Sequence, residues 1–233
     1  MGVVQRQGIK QSIVTWFGMA LGAVNVFFIF PAALSTEQLG IIGFVRDSAI
    51  FLSPFLFWGG AELIVRFFPR FKNDATGHNG YLFLQQVIFG MGMAVLVPLF
   101  LIFQQPFLDF FGKKEPLYEA FTPFILPFAI LITYAAVFSS HALNFKRAAM
   151  PALFNELTPK LGLMILALAF WLGGMSFSGI FWGQLVAYAF IVLAQIWYLH
   201  SLGELHLRPN FSFLKKPLLK EMATFGMFGL VGN

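Results

Sequence analysis

Apolar residues in this chain gather into six long runs, separated by short polar segments. The runs cover residues 11–32, 40–68, 81–103, 121–143, 154–173 and 179–199. A hydrocarbon core of ~30 Å takes about 20 apolar helical residues to cross. Each run reaches that length, so the pattern predicts an all-α fold, a polytopic membrane protein built as a six-helix transmembrane bundle. The first run competes with a cleaved leader, but it exceeds the apolar core of about 7–15 residues that a signal peptide carries. Gly18 and Gly22 also stand at small-xxx-small spacing, which suits close helix packing. It reads as a retained first helix.

The second run, 40–68, is the unusual one. It reads as a single helix with Arg46, Asp47 and Glu62 inside it, closing on Arg66-Phe67-Phe68-Pro69-Arg70. A charge at membrane depth costs about 2.5–3.5 kcal/mol on insertion scales and usually faces a bundle interior or a watery cavity. At about 100° per residue, Arg46, Ser53 and Gly60 share one face, whereas Glu62 lies about 160° from Arg46. Glu62 and Arg66, at i and i+4, read as an ion pair near the far end. Two readings of Arg46 stand: snorkelling to the outer headgroups, or facing the bundle as a fork suited to phosphate.

Composition sharpens the class. The chain is 58% hydrophobic and 11% charged, with 32 Phe and no Cys, where a soluble protein carries about 25% charged residues. Disulfides, thiolate metal sites and Cys nucleophiles are excluded. The net charge of +5 raises nucleic acid as a partner, but the placement of the charge argues for a membrane and against nucleic acid. With the N terminus inside, twelve of the fifteen Lys and Arg fall in inner segments. Lys113 and Lys114 fall outside and Arg46 within the span, a clear positive-inside bias. The four His (His78, His141, His200, His206) show no ligand spacing and read as interfacial or packed residues. No metal or cofactor is expected.

Three regions follow: a bundle over 1–200, a basic, partly amphipathic linker over 201–219 along the inner interface, and a short apolar run over 220–233. That last run echoes the first helix, Phe17-Gly18-Met19 against Phe225-Gly226-Met227. The echo reads as the start of a second repeat, a recurring transporter feature. Further candidates are polar residues inside apolar runs. Gln184, Tyr188 and Gln195 share a face of the sixth run, and either bond neighbouring helices or line a polar cavity; Asn25 is open in the same way. Glu156 and Lys160 read as an i, i+4 pair, with Lys160 alternatively adding positive charge to an inner vestibule. No acid pair, Ser/His/Asp set or Gly-rich phosphate loop stands out, so the chain does not read as an enzyme.

Three segments together resemble the N-terminal half of bacterial polysaccharide or lipopolysaccharide biosynthesis flippases, of the multidrug/oligosaccharidyl-lipid/polysaccharide exporter superfamily. They are Lys10–Asn25, the turn Ser35-Thr36-Glu37-Gln38-Leu39-Gly40, and the exit Arg66-Phe67-Phe68-Pro69-Arg70-Phe71. The resemblance implies a V-shaped transporter of two six-helix lobes in the bacterial inner membrane. It would flip an undecaprenyl-diphosphate-linked oligosaccharide by alternating access, among membrane lipids and other polysaccharide-assembly proteins. It further implies a cationic cavity in which Arg46 meets the diphosphate, Asp47 orients Arg46, and Gln184 and Gln195 contact sugar hydroxyls. The rivals are a cation-coupled drug or metabolite exporter, against which the first run offers no carboxylate, a non-transporting accessory subunit, and a glycan polymerase, against which the outer loops are short.

Overall fold

The structure, a computed structural model, describes residues 2–58, 61–111, 116–210 and 212–232, with the side chains of 3 and 230–232 excepted. Every regular element among them is helical: α1 (Val3–Val24), a π turn (Asn25–Ile29), α2 (Phe30–Ala33), α3 (Thr36–Leu56), α4 (Glu62–Phe71), α5 (Tyr81–Ile102), α6 (Gln104–Phe110), α7 (Pro116–Phe121), α8 (Ile125–Leu143), α9 (Ala149–Trp171), α10 (Phe177–Ser201) and α11 (Lys216–Gly232). Six stretches are long and apolar enough to cross a membrane: Val4–Ala33, Thr36–Leu56, His78–Ile102, Pro116–Leu143, Ala149–Trp171 and Phe177–Ser201. The chain is an all-α, multi-pass membrane protein. Its outward faces agree, since Phe27, Phe28, Trp182 and Trp197 lie exposed, a cost in water and none in lipid.

Helix boundaries follow local chemistry. Ser35 closes a capping box: its hydroxyl accepts from the Gln38 amide at 3.2 Å, and the Gln38 side chain accepts from the Ser35 amide at 2.9 Å. That reciprocal cap starts α3 at Thr36, so the acidic turn read from the sequence is mostly helix. The fifth span starts at Ala149 rather than 154, because Pro151 falls in the first turn, where a missing N–H costs nothing. Pro159 thereby moves to mid-helix.

The second run is not one helix. α3 ends at Leu56, Trp58 takes a positive φ of 33°, and α4 begins at Glu62; Gly60, expected on the Arg46 face, lies outside the described residues, as do Lys113 and Lys114. Pro54 already removes a donor from the last turn of α3. On α4, Leu63, Ile64, Phe67, Phe68 and Phe71 are buried while Glu62, Arg66 and Arg70 face out. This is the 3–4 spacing of an amphipathic surface helix, and ten residues span only about 15 Å. Glu62 is therefore not a charge within the membrane run, and the expected Glu62–Arg66 pair does not form. Arg66 instead lies over the Phe225 ring at 4.4 Å.

Two glycines set how closely neighbours approach the break. A Cβ on Gly92 of α5 would sit 2.1 Å from the Leu56 carbonyl oxygen, and one on Gly226 of α11 would sit 2.5 Å from that of Trp58. Tyr81 fastens α5 to α4 by donating its hydroxyl to the Leu63 and Ile64 carbonyls, both at 3.0 Å.

α11 docks on α4 through Phe67 against Phe225 and a two-pronged ion pair, Arg70 to Glu221 at 2.5 and 2.8 Å. Both charged groups lie outside the six spans. The hydrogen bond from Arg70 holds the Glu221 carboxyl below its ordinary value of 4.5. A carboxyl depressed on folding contributes stability above its unfolded pKa, and that stability is lost as pH falls through the folded one. Docking should thus be complete at neutral pH and loosen only as the pH falls below the ordinary carboxyl value of 4.5, modestly, because exposed pairs are screened. Hydrogen exchange of α11 amides checks this. Exchange should rise in acid for the wild-type chain and be raised already at neutral pH in Arg70→Ala; indifference to both would remove the pair as the clamp.

Candidate functional site

The spans do not pack in chain order. α1 lies on α9, α9 on α10, α10 on α8 and α8 on α3. Because α1 joins α9 rather than its chain neighbour α3, a cavity of about 340 Å³ remains between them. Its walls are largely apolar, including Val26, Phe30, Ile42, Ile50, Phe128, Leu163 and Phe181. Into them are set Asn25, Arg46, Asn155, Lys160, Gln184 and Tyr188. Four of the six residues singled out from the sequence (Asn25, Arg46, Lys160, Gln184) therefore meet around one space.

Local chain chemistry places each. Pro31 lacks the N–H that a continuing α-helix would use, and the π turn just before it takes up the irregularity, with the Phe30 amide bonding back to the Asn25 carbonyl. Such turns recur at functional sites. Asn25, buried here, donates its side-chain amide to the Lys160 carbonyl at 2.9 Å. From the other flank Gln184 donates to the Pro159 carbonyl at 3.1 Å. Two successive carbonyls of α9 thus receive amides from α1 and α10, which locks three helices around the cavity. The remaining oxygens, Asn25 Oδ1 and Gln184 Oε1, are buried without a partner among the described residues.

The cations are held by neighbours. Arg46 Nε donates to Asp47 Oδ1 at 3.0 Å, and its Nη2 reaches the same oxygen at 3.0 Å. Nη1 is left for another acceptor. The Arg46 side chain is 56% exposed, so its charged end can be reached. Lys160 Nζ donates to Glu156 Oε2 at 2.6 Å, the expected i, i+4 pair. This pair fills the groove that Gly18 opens on α1, since a Cβ there would lie 3.1 Å from Glu156 Oε2 and 3.3 Å from Lys160 Nζ. The small-residue stripe makes room for an ion pair, not only for a backbone.

Depth follows from helix rise. Arg46 lies ten residues from the start of α3, and Lys160 eleven from the start of α9. At about 1.5 Å per residue both sit about 15 Å in, half-way across a ~30 Å hydrocarbon core. Lys160 thus belongs within the span and not with the inner cations, because α9 begins at Ala149.

The other two candidates stand apart. Asp47 adjoins Arg46 without lining the cavity. Gln195 is buried deeper along α10 and donates to Asn155 Oδ1 at 2.9 Å, while Asn155 donates to Ser139 at 2.9 Å. Asn155 escapes the sequence pattern because the fifth apolar run begins at 154, which makes it an end residue, whereas α9 begins at Ala149. Its spacing with Pro159 and Lys160 (i, i+4, i+5) was the available signal. Comparison of the chain with models of protein families, with curated proteins and with solved structures finds no match in any of the three.

Proposed function

We propose that the chain carries a lipid-linked oligosaccharide, joined through an undecaprenyl diphosphate, across the bacterial inner membrane with its N terminus cytoplasmic. The observation that carries the reading is the mid-span cavity in which Arg46 and Lys160 face a common space between apolar walls. Placing two cations at that depth is costly, and Asp47 and Glu156 offset the cost when no ligand is present. The donors they leave free suit a phosphate, most of all the Arg46 fork. The unpartnered amide oxygens of Asn25 and Gln184 suit sugar hydroxyls, which can donate to them. A volume near the lower end of small-ligand sites, about 300–1,000 Å³, fits the diphosphate and the first sugar; the rest of the glycan and the lipid tail would lie outside. Alternating access would then open the space between α1 and α3 to one side at a time, against a second lobe beginning at α11.

A cation-coupled exporter is the second reading. One observation favours it: Glu156 supplies, from α9, the carboxylate beside α1 that α1 itself lacks. The test is expression in a bacterial strain deprived of its own lipid-linked oligosaccharide flippase. Restored surface glycan is the expected result. Unrestored glycan at normal membrane abundance rejects the proposal, and dye efflux driven by a Na⁺ or H⁺ gradient in the same cells would establish the exporter.

A further inference from the structure

At the other end of the bundle, away from the cavity, the loop between α4 and α5 meets the linker between α10 and α11. The meeting point holds two of the four histidines and an acid. The ligand-type atoms of His78, Glu204 and His206 all lie within 4.8 Å of one another, although the two histidines are 128 positions apart in the chain. His78 is buried and the other two are half-buried. We propose that these three side chains form a binding site for a divalent transition metal of the zinc type, which pins the linker to the bundle.

The donor set fits that ion. Two imidazoles and one carboxylate suit zinc and its neighbours, with a fourth position left for water. Tetrahedral bonds of about 2.0–2.1 Å place ligand atoms ~3.4 Å apart. His78 Nε2 and Glu204 Oε2 are already 2.8 Å apart. Small side-chain rotations of Glu204 and His206, on the linker, complete the approach.

The backbone is bent towards this arrangement. Gly77, His78, Asn79 and Gly80 all have positive φ, at 59°, 55°, 50° and 69°. For a residue with a Cβ the left-handed region costs about 1–2 kcal/mol. Asn79 is compensated, donating to the Phe71 carbonyl at 2.9 Å and accepting from Thr76 at 3.1 Å. His78 is tied to its own loop through Asn73, whose carbonyl accepts from the His78 amide at 2.8 Å, and the far side of its ring goes to Glu204. Strain held at one residue by its surroundings is a mark of a functional position. Gly77 matters for a further reason, because a Cβ there would stand 3.1 Å from Cβ and Cγ of His206.

An outer partner is present too. His78 Nδ1 receives a long bond from the Asn73 amide at 3.3 Å, which leaves the ring proton on Nε2 facing Glu204. When Nε2 binds a metal, that proton moves to Nδ1, and the long bond from the Asn73 amide gives way. Asp74 Oδ1, 3.8 Å from Nδ1 and on an exposed side chain, is placed to accept it. The result is the carboxylate–histidine–metal relay common in such sites.

The test uses the tag-free chain, purified through a chelator into detergent and titrated with Co²⁺ alone, then with Zn²⁺. The expected result is one equivalent of Co²⁺ bound, with the strong visible absorption of a tetrahedral site, bleached by Zn²⁺. His206→Ala and Glu204→Gln, both on the linker and checked for unchanged monodispersity, should each weaken Co²⁺ at least tenfold and lose the band. His200→Ala should bind as the wild type does. Absence of saturable one-equivalent binding to the wild type would overturn the proposal. So would equal binding by the wild type and both linker variants.

Discussion

Arg46→Ala should lower affinity for the proposed undecaprenyl diphosphate cargo by about 10–150-fold, the equivalent of a charge-assisted hydrogen bond worth ~1.5–3 kcal/mol. Glycan export should be lost with it, while the amount of protein in the membrane stays the same. The expectation rests on an accessible guanidinium half-way across the span, with Asp47 holding Nε and Nη2 and leaving Nη1 free. Arg46→Lys keeps the charge but loses the fork, and should fall between the wild type and Ala. Removing Arg46 also leaves Asp47 unpaired, which alone could disturb folding. The double variant Arg46→Ala/Asp47→Asn separates the two effects, because it removes the orphan charge and should bind the diphosphate no better than Arg46→Ala. Binding of the lipid to reconstituted vesicles, read beside surface glycan, is the measurement. Export preserved in Arg46→Ala would take this residue out of the site.

Gly92→Ala should produce the largest loss of stability. The added methyl would sit 2.1 Å from the Leu56 oxygen and 2.7 Å from its carbonyl carbon. Both are backbone atoms, at the end of a helix that cannot swing aside as a side chain does. Overpacking of this kind costs about 1–3 kcal/mol and sometimes more, or roughly 2–12 °C in melting temperature for a chain of this size. Gly90→Ala is the internal control. It lies on the same helix, meets nothing within 4 Å, and should be neutral or slightly stabilising, because Ala favours helix over Gly by about 0.8–1.0 kcal/mol. Thermal unfolding in detergent compares them. Equal melting of the two would mean that α5 draws back from the break without penalty.

What the sequence shows well is what hydrophobicity alone decides. The six spans are visible because lipid demands long apolar runs and little in the chain interrupts them. The break between α3 and α4 was hidden because Phe55-Leu56-Phe57-Trp58 continues the apolar pattern straight through it. The Gly59-Gly60 pair that follows was the available warning. Because α3 ends at Leu56 and α4 begins anew at Glu62, Glu62 and Arg66 belong to a surface helix, and the angle between Glu62 and Arg46 on a continuous wheel has no meaning.

The cavity divides in the same way. Asn25, Arg46, Lys160 and Gln184 each stood out as polar residues within apolar runs. Which of them would meet depended on α1 choosing α9, and no spacing within a single helix carries that choice. Asn155 depended on a helix start set by Pro151. The His78–Glu204–His206 cluster has no local signature at all, since it exists only where a left-handed turn meets a linker that returns to it.

The pairing of α1 with α9 also bears on how the protein is made. Asn25 and the Lys160 carbonyl to which it bonds are 135 residues apart. At a synthesis rate of about 5–20 residues per second, α1 is complete roughly 7–27 s before its partner emerges. For that interval the amide of Asn25 and the groove at Gly18 face lipid, the insertion machinery or earlier helices, and none of these offers the carbonyl that later satisfies Asn25. The first helix made is thus among the last to find its place, and the cavity takes shape only when the bundle is nearly complete.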